Sequence, residues 1–358
     1  KAAAPPPTPP AALRGPMPGW QPQGVRGRRR ALLIGINYAG AHAQLKGGVN
    51  DAWNLHCALR ERPRFRDDEL RVLVDDEEGA AGDHGGQPGG AALPTRANIL
   101  AGLRWLLEDA RAGDEMFFAF CGFGAQHPPD PGSPLCASFL VPSDFDADLP
   151  EEFRRGLRDP ARPAAVPSSA TGYRLVPFAE LGRLISRVPA NAALTMVLDC
   201  AYPGVPGLGA SHGPPAAFDR VPRGRVDYAK LRDFMSRPRF LELPSISVSG
   251  AEQLALGSAH RPECAVRCFA ACRLPEWNAE LPLEGSAQGS FTWAFVKALA
   301  ASGADAAVGQ LLKHMVGSLE DLRMHFSGVE QTPTLLLSEA SSPDDPCFAP
   351  DRILLRAD

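Results

Sequence analysis

Four short apolar runs constrain the fold of this chain more than any other sequence feature. They are Arg30–Ile36, Leu70–Val74, Asp114–Cys121 and Ala192–Leu198. Each has the length of a strand, and a mostly continuous apolar run is typical of a strand that is buried on both faces. Stretches with helical periodicity lie between these runs. The pattern predicts an α/β fold with a mostly parallel central sheet and helices on both faces.

Further elements follow from local periodicity and capping signals. The predicted helices are Asn50–Arg60, Arg96–Ala110 with Thr95 as N-cap, Val176–Arg187, Phe291–Ala300 and Ala306–Met324. The additional predicted strands are Phe139–Pro142, Ser245–Gly250 and Thr332–Leu337. Functional groups of open parallel sheets gather at the carboxyl ends of the strands. Here those ends are Asn37, Cys121–Gly124 and Asp199–Gly204.

Composition excludes several classes of function. The chain has 358 residues and a formal net charge of −4, which gives no electrostatic case for nucleic acid as a partner. No apolar run approaches the roughly 20 residues of a membrane span. The eight cysteines form no disulfide framework, so we expect an intracellular, reducing compartment, either the cytoplasm or an organelle. Because the chain starts at Lys1 and not at Met, we expect upstream sequence, either a cleaved targeting segment or further residues.

Three segments do not fit the alternation of strands and helices. Residues 1–28 form a Pro-rich N-terminal tail, which cannot build regular helix or sheet. The stretches Asp146–Tyr173 and Tyr202–Pro244 are rich in Pro, Arg and Ala and lack clear periodicity. Stretches of this length in a compact domain are usually functional or disordered. We expect all three to serve as contact surfaces for other proteins.

The order of the conserved-looking blocks resembles that of type I metacaspases. The blocks of the first half are ALLIGINY (31–38), LKGGVNDA (45–52), PTRANILAGLRWL (94–106) and DEMFFAFCGFGAQ (114–126). Those of the second half are VLDCAYPG (197–204), SGAEQLA (249–255), GSFTWAFVKAL (289–299) and QTPTLLLS (331–338). The resemblance implies a caspase–hemoglobinase fold over 29–358. It also implies a large-subunit-like part at 29–204, an insertion at about 203–244 and a small-subunit-like part at 245–358.

The resemblance implies cysteine proteolysis after a basic residue, but this chain departs from both catalytic signatures. The family places its His in Ser-Gly-His-Gly, where this sequence reads Cys-Gly-Phe-Gly and puts Phe123 at the His position. The family places its nucleophile in Asp-Ser-Cys-His-Ser-Gly, where this sequence puts Ala201 at the Cys position. Phenylalanine has no titratable nitrogen and alanine has no nucleophile. We therefore expect a catalytically dead homologue.

Neighbouring residues are poor substitutes for the missing pair. Cys200 and Cys121 each lie one residue before a catalytic position, and adjacent side chains of an extended segment point to opposite faces. His127 lies four residues beyond Phe123 on a Pro-rich turn, too far to assume hydrogen-bond reach. We expect these cysteines to be buried or structural.

Two carboxylates of the family's pocket for basic side chains are retained. Asp51 and Asp199 fall at pocket positions, while Gly48 replaces a Cys often found between them. Two interpretations stay open at this point. The carboxylates could still bind Arg or Lys, or Asp51 could cap the following helix and Asp199 could form a structural pair.

We expect neither a metal ion nor a cofactor. The equivalent of the family's calcium loop keeps only Asp130 and Asp144, and calcium needs several oxygen ligands. Cys264, Cys268 and Cys272 have helical spacing, but three thiols along a helix span about 12 Å, too far for one ion. Small buried residues are the expected role of these cysteines.

The sequence favours a non-proteolytic pseudoenzyme that serves as a scaffold or protein-binding subunit, with other proteins, such as subunits of a larger complex, as partners. Two other functions compete. One is a cysteine endopeptidase that cleaves after Arg or Lys with a displaced nucleophile. The other is a regulator that binds basic peptides through Asp51 and Asp199.

Overall fold

The computed structural model describes residues 27–40, 44–82, 91–127, 137–158, 172–201, 208–212, 237–241, 243, 261–272, 276, 278–326, 329 and 331–349. Three regions singled out in the sequence lie largely or wholly outside these residues. They are the Pro-rich tail up to residue 26, the strand predicted at Ser245–Gly250 and most of the insertion at 203–244.

A seven-stranded sheet forms the centre of the described part of the chain. Its strands, numbered in chain order and given in spatial order, are β2 (Leu70–Val74), β1 (Arg29–Gly35), β3 (Glu115–Cys121), β7 (Ala193–Asp199), β10 (Ala265–Ala270), β13 (Thr334–Leu337) and β8 (Gly209–His212). The strands β2, β1, β3, β7 and β10 are parallel to one another, and β13 and β8 add antiparallel pairs at one edge. The predicted α/β class with a mostly parallel sheet is confirmed.

Helices cover both faces of this sheet. Alternate residues of β1 point to opposite sides, so that Leu32 joins one apolar core and Leu33 the other. The first core lies under the helices α3 (Arg96–Leu107) and α5 (Phe178–Ile185). The second core lies under α1 (Gly48–Glu61), α6 (Ser290–Ser302) and α7 (Val308–His325). Smaller helices are α2 (Glu77–Gly82), α4 (Glu151–Arg158) and the 3-10 turn Asp67–Glu69.

Two small antiparallel sheets flank the carboxyl edge of the central sheet. One contains β4 (Gly124–His127), β5 (Ala137–Leu140) and β6 (Val176–Pro177). The other contains β9 (Arg237–Pro238), β11 (Ala279–Leu283) and β12 (Ser286–Gly289). Two residues separate the end of β3 from the start of β4, and β12 runs directly into α6. Both small sheets therefore bring backbone to the place where β3 and β7 end.

Most predicted helices and strands are present with shifted ends. Thr95 caps α3 as predicted, because its Oγ1 accepts the N–H of Asn98 at 3.2 Å. The helix predicted at Val176–Arg187 starts only at Phe178, since Val176 and Pro177 form β6 and the backbone of Pro177 is extended, with a ψ of 139°. The helix expected to reach Ala110 ends at Leu107, and Asp109 has a φ of 57°.

The helical spacing proposed for the three clustered cysteines is wrong. Residues Ala265–Ala270 form β10, which bonds to β7 on one side and to β13 on the other. A period of four fits a strand as well as a helix, because four is a multiple of the strand period of two. Cys264 and Cys268 accordingly share one face of the sheet and lie in the core under α3 and α5. Their predicted role as small buried residues is confirmed.

Candidate functional site

The carboxyl ends of β3 and β7 lie side by side, and the candidate site residues of the sequence analysis lie near them. Cys121 pairs with Asp199 in the parallel register of these two strands. Gly122 donates its N–H to the carbonyl of Asp199 at 3.3 Å, which ties the two strand ends together. Phe123, Gly124 and Ala201 follow directly. The residues expected to gather at the carboxyl ends of β3 and β7 do lie close together.

Asp51 and Asp199 come together although they are far apart in sequence. Asp51 lies in the first turn of α1, Asp199 ends β7, and both side chains are fully buried. Both accept hydrogen bonds from the start of α6. The N–H of Gly289 lies 3.0 Å from both Asp51 oxygens, and Asp199 Oδ2 accepts the N–H of Thr292 at 3.0 Å and its hydroxyl at 2.6 Å. A helix N-terminus offers free N–H groups and favours negative charge, so it stabilises both carboxylates.

A third carboxylate completes an acidic pocket. Glu280 of β11 accepts the backbone N–H groups of Lys46, at 2.9 Å, and of Gly47. Asn278 Nδ2 donates to Asp199 Oδ1 at 2.8 Å. Each carboxylate of the pocket thus accepts hydrogen bonds from neighbouring backbone or side-chain groups. We call Asp51, Asp199 and Glu280 the carboxylate pocket.

The guanidinium of Arg239 fills the carboxylate pocket. Its side chain has no exposed surface, Nη2 bonds to Asp51, and Nη1 lies 3.1 Å from Asp199 Oδ2. Nη2 also lies 3.5 Å from Glu280 Oε1. Of the two interpretations left open by the sequence, Asp51 does not cap its own helix: it accepts the N–H of Gly289, the N-cap of α6, and binds the arginine. Asp199 forms a structural pair with Arg239 of the same chain, as the second interpretation allowed, and binding of an Arg or Lys from another molecule stays a prediction.

The electrostatics of this cluster follow from burial. Burial raises the pKa of the Asp51 carboxyl well above its ordinary value, with Arg239 opposing and Asp199 adding to the rise. Burial alone would lower the pKa of the Arg239 guanidinium, but Asp199, Asp51 and Glu280 together outweigh it and raise that pKa well above its ordinary value. The arginine is therefore a fixed positive charge that offsets part of the negative charge of the three carboxylates. Removing one partner of a buried ion pair typically costs about 3–5 kcal/mol.

The backbone of Arg239 is bound as tightly as its side chain. Its carbonyl oxygen accepts the N–H of Ala201 at 3.0 Å and the N–H of Gly124 at 3.1 Å. The N–H of Leu241 in turn donates to the carbonyl of Gly124 at 3.0 Å, and the N–H of Arg239 donates to the carbonyl of Asn278 at 3.2 Å. The segment Arg239–Leu241 therefore lies across the strand ends with hydrogen bonds on both sides.

Phe123 is buried in an apolar setting at this edge. Its ring lies 4.5 Å from that of Tyr38, centroid to centroid, and 2% of its surface is exposed. The Tyr38 hydroxyl accepts the N–H of Phe123 at 2.8 Å and donates to the carbonyl of Val141 at 2.7 Å. The carboxylate of Asp75 accepts the backbone N–H groups of Asn37 and Tyr38 at 2.7 and 2.6 Å, which fixes the backbone at these two residues. The position offers packing and no group that could move a proton at neutral pH.

Ala201 is almost fully buried, and it contributes its backbone N–H to the site and a methyl side chain. A Cβ on Gly124 would collide with the carbonyl oxygen of Ala201, so the close approach of the two strands requires glycine there. The residues 202–207 that follow lie outside the described part of the chain.

The two neighbouring thiols point away from the bound carbonyl into the core. Cys200 lies in the apolar core under α3 and α5, and Cys121 lies in the core on the opposite face. Burial raises the pKa of both thiols well above the ordinary value, and nearby Asp charges add to this rise. Cys121 Sγ lies 3.6 Å from Thr292 Oγ1. Both thiols stay protonated and therefore poorly nucleophilic.

Residues considered for metal binding have other partners. Asp144 Oδ1 accepts the N–H of Arg96 at 2.7 Å, and its Oδ2 lies 3.0 Å from Arg174 Nη1. Asp130 lies outside the described residues. Within the described ranges, no group of three or more His, Cys, Asp and Glu side chains is arranged to hold a metal ion. Among the helices of the same ranges, none is long and apolar enough to cross a membrane.

Sequence reasoning missed Arg239 and Glu280. Glu280 stands in Ala279–Leu283, where the strand period assigns it to the face opposite Ala279, Leu281 and Leu283, so the sequence pattern predicts exposure and its burial could not be inferred. Arg239 stands in an Arg-rich stretch without periodicity, so nothing local distinguishes it from neighbouring arginines.

Comparisons with known proteins show which family the chain is similar to. Residues 29–149 match the family model described as metacaspase, peptidase C14 domain. Metacaspase-1B of Aspergillus oryzae is 25% identical over 287 residues, which are 77% of this chain and 61% of that protein. Metacaspase-1B of Aspergillus fumigatus is 41% identical over 102 residues, which are 28% of this chain and 22% of that protein. The chain thus spans less than two thirds of the length of these relatives.

A solved structure supports the fold over a longer part of the chain. A crystal structure of a structural-genomics target from Geobacter sulfurreducens superposes with a TM-score of 0.51 at 15% sequence identity. The match covers 88% of this chain and 95% of that chain. At this identity the likeness concerns the fold alone. The comparisons thus show that the chain is similar to metacaspases, most specifically over residues 29–149, and that it shares its α/β fold with a solved structure over most of its length.

Proposed function

We propose that this metacaspase-like chain is a pseudoenzyme that does not cleave peptides and acts by binding other proteins. The observation that carries the proposal is the chemistry around the bound carbonyl of Arg239. Its oxygen accepts two backbone N–H groups, an arrangement suited to stabilising an oxyanion. The side chains at the two positions that the family reserves for catalysis are Phe123 and Ala201. Neither a nucleophile nor a proton acceptor is supplied there.

The environment of the alternative thiols supports the same proposal. A displaced nucleophile would have to be a thiolate within reach of a substrate carbonyl. Cys200 and Cys121 are fully buried on opposite faces of the sheet, and burial keeps them protonated. The relatives in the comparison are named metacaspases, so this chain would keep their fold while losing their chemistry.

A binding role is supported by what the chain has beyond the core of the fold. The tail, residues 1–28, precedes the large-subunit-like part 29–204. The insertion at about 203–244 lies between that part and the small-subunit-like part 245–358. Residues 208–212 and 237–241 of the insertion pack within the domain itself, and we propose that the tail and the rest of the insertion contact partner proteins. In this role the chain would be a structural subunit of a larger assembly.

The test is an assay of peptide hydrolysis with the full chain. Fluorogenic peptides ending in Arg or Lys, with and without calcium, should give no turnover above background from about pH 6 to about pH 9. An active metacaspase assayed in parallel shows that the conditions permit cleavage. Turnover that disappears in a Cys200→Ala variant would overturn the proposal in favour of an endopeptidase with a displaced nucleophile.

A further inference from the structure

Two arginines lie against one tryptophan at the outer edge of the central sheet. The guanidinium carbon of Arg71 lies 4.2 Å from the ring centroid of Trp105 on α3, and that of Arg30 lies 5.4 Å from the same centroid. Arg71 belongs to the edge strand β2 and stands opposite Leu32 of β1, on the face of the sheet that α3 covers. We call Arg30, Arg71 and Trp105 the arginine–tryptophan cluster.

Arg71 is the member of the cluster that is open to a ligand. It is exposed, whereas Arg30 and Trp105 are half-buried. Arg30 donates to two backbone carbonyls at the end of α3, that of Trp105 and, at 3.3 Å, that of Glu108. Within the described ranges, the guanidinium of Arg71 has neither a hydrogen bond nor an ion pair, and it lies against the indole of Trp105. Its N–H donors are therefore free to bind an acceptor from another molecule.

The positive charge of the cluster is only partly compensated. Burial lowers the pKa of both guanidiniums, and Arg28 adds to the fall at Arg30 as Arg30 does at Arg71. Asp114 and Asp109 oppose the fall in the pKa of Arg30, but Asp114 is itself paired with Arg28 at 3.0 Å. No carboxylate among the described residues opposes the fall at Arg71. An anion bound here would reduce the repulsion between two neighbouring cations.

The chemistry of the cluster fits a phosphoryl group better than a carboxylate. A guanidinium presents its donors in a planar fork that binds two oxygens of one anion at once. A phosphorylated serine or threonine carries a charge of about −1.5 to −2 at neutral pH and offers three acceptor oxygens. Two neighbouring guanidiniums match that charge, while one carboxylate would neutralise only one of them. Contact with the indole also restricts the Arg71 side chain before it binds, which lowers the entropy cost of binding.

The surroundings of the cluster favour a single phosphorylated side chain over a long polyanion. Glu108 and Asp109 lie just beyond α3, Asp67 and Asp68 lie just before β2, and all four are exposed. Nucleic acids and anionic membranes spread many negative charges over a wide area, and these carboxylates would repel them. A phosphorylated side chain concentrates its charge at one point and needs only the two arginines.

We propose that the arginine–tryptophan cluster binds a phosphorylated serine or threonine in a segment of a partner protein. The inference rests on the proposed function, in which the chain acts by binding other proteins, and it names the chemistry of one such partner. The site is separate from the strand ends that carry Phe123 and Ala201, since Arg30 lies in the amino-terminal part of β1.

The test measures binding of a short glycine–alanine peptide that carries one phosphoserine. Its phosphorus NMR signal broadens when the peptide binds the full chain, and a titration should give saturable binding with a Kd below about 1 mM. Arg71→Gln should weaken this binding at least about tenfold, because it removes the guanidinium with free donors. Trp105→Leu keeps both arginines and should weaken binding about two- to fivefold, because it removes the ring that holds them.

Arg187→Gln is the matched control for the loss of one positive charge. Arg187 is also exposed, and within the described part of the chain its guanidinium has no hydrogen bond, ion pair or aromatic ring beside it. This substitution should change the Kd by less than about twofold, since salt screens a distant surface charge. Equal weakening by Arg71→Gln and Arg187→Gln would contradict the inference.

Competition experiments on the wild type decide the question even where a variant does not fold. Excess peptide with serine in place of phosphoserine should not displace the phosphoserine peptide. Displacement by the serine peptide, or no saturable binding up to about 1 mM, would overturn the inference. Stronger competition by a single-stranded oligonucleotide or by vesicles with phosphatidylserine would also overturn it, in favour of a surface for polyanions. Cleavage of peptides by the wild type would instead contradict the proposed function, so the two failures are distinguishable.

Discussion

At the scale of single residues, the environments of the cysteines decide which thiols can react. Cys57 is exposed, whereas Cys121 and Cys200 are buried. Iodoacetamide attacks thiolates, and burial raises the pKa of the Cys121 and Cys200 thiols well above the ordinary value. We expect the native protein at about pH 8 to be alkylated at Cys57 and not at the two buried thiols. At about pH 9 the two buried thiols should still not be alkylated.

Peptide mass mapping measures this outcome residue by residue. The same protein unfolded in urea is the control, since all three thiols should then react at similar rates. Alkylation of Cys200 in the native state at the rate of Cys57 would mean that the thiol is accessible and ionised. That result would support the competing hypothesis of an endopeptidase that uses Cys200 as a displaced nucleophile.

Single residues also show the limit of prediction from the sequence. Asp51 and Asp199 could be identified because each stands in a recognisable block next to a predicted strand or helix. Their partner Arg239 could not, because its position depends on contacts with Gly124, Ala201 and Asn278 that are distant in sequence. The residues of a pocket can be predicted when they lie on regular helices and strands. The residue that fills the pocket cannot be predicted when it comes from a segment without periodicity.

At the scale of elements, the N-terminus of α6 organises the carboxylate pocket. A Cβ on Gly289 would collide with Asp199 Oδ2 and lie 2.7 Å from Arg239 Cζ. We expect Gly289→Ala to destabilise the protein by about 2–4 kcal/mol, since it combines overpacking with the separation of a buried ion pair. Urea unfolding of the full chain measures the change in the free energy of unfolding.

Gly317→Ala is the matched control for this substitution. Gly317 lies within α7, and a Cβ there would meet nothing within 4 Å. Alanine is the better helix former by about 0.5–1 kcal/mol, so this variant should be as stable as the wild type or more stable. Equal effects of the two substitutions would show that the pocket tolerates a methyl group and that its close packing is not required.

The elements that were predicted and those that were missed differ in a physical respect. Strands β1, β2, β3 and β7 stand out as apolar runs because most of their residues are buried, whereas β8 of the same sheet reads GASH and was not predicted. The small-sheet strands β4 and β12 read GAQH and SAQG, and hydrogen bonds to neighbouring strands hold them in place. The pattern of apolar residues detects strands that form apolar runs and does not detect strands such as β4 and β12. Strands β4 and β12 are the ones that bring Gly124 and Gly289 to the site.

At the scale of the whole molecule, the two proposed subunit-like parts form one continuous sheet. Strand β7 of the first part pairs with β10 of the second along six residue pairs. Asp51 and Asp199 of the first part accept hydrogen bonds from Gly289 and Thr292 of the second. The core under α1, α6 and α7 also draws on both parts. Neither part can bury its apolar surface alone.

We therefore expect the protein to stay together after a cut between the two parts. A recognition sequence for a site-specific protease is placed within residues 213–236, and the cut protein should elute from size-exclusion chromatography at the volume of the uncut protein. Both should unfold in a single transition, because the shared sheet and core remain intact. Residues 245–358 expressed alone should show no cooperative unfolding, since β10 would lack its partner β7 and α6 would lack the carboxylates at its N-terminus. Dissociation of the cut protein without denaturant, or cooperative unfolding of the isolated second part, would show that the chain consists of two independent domains.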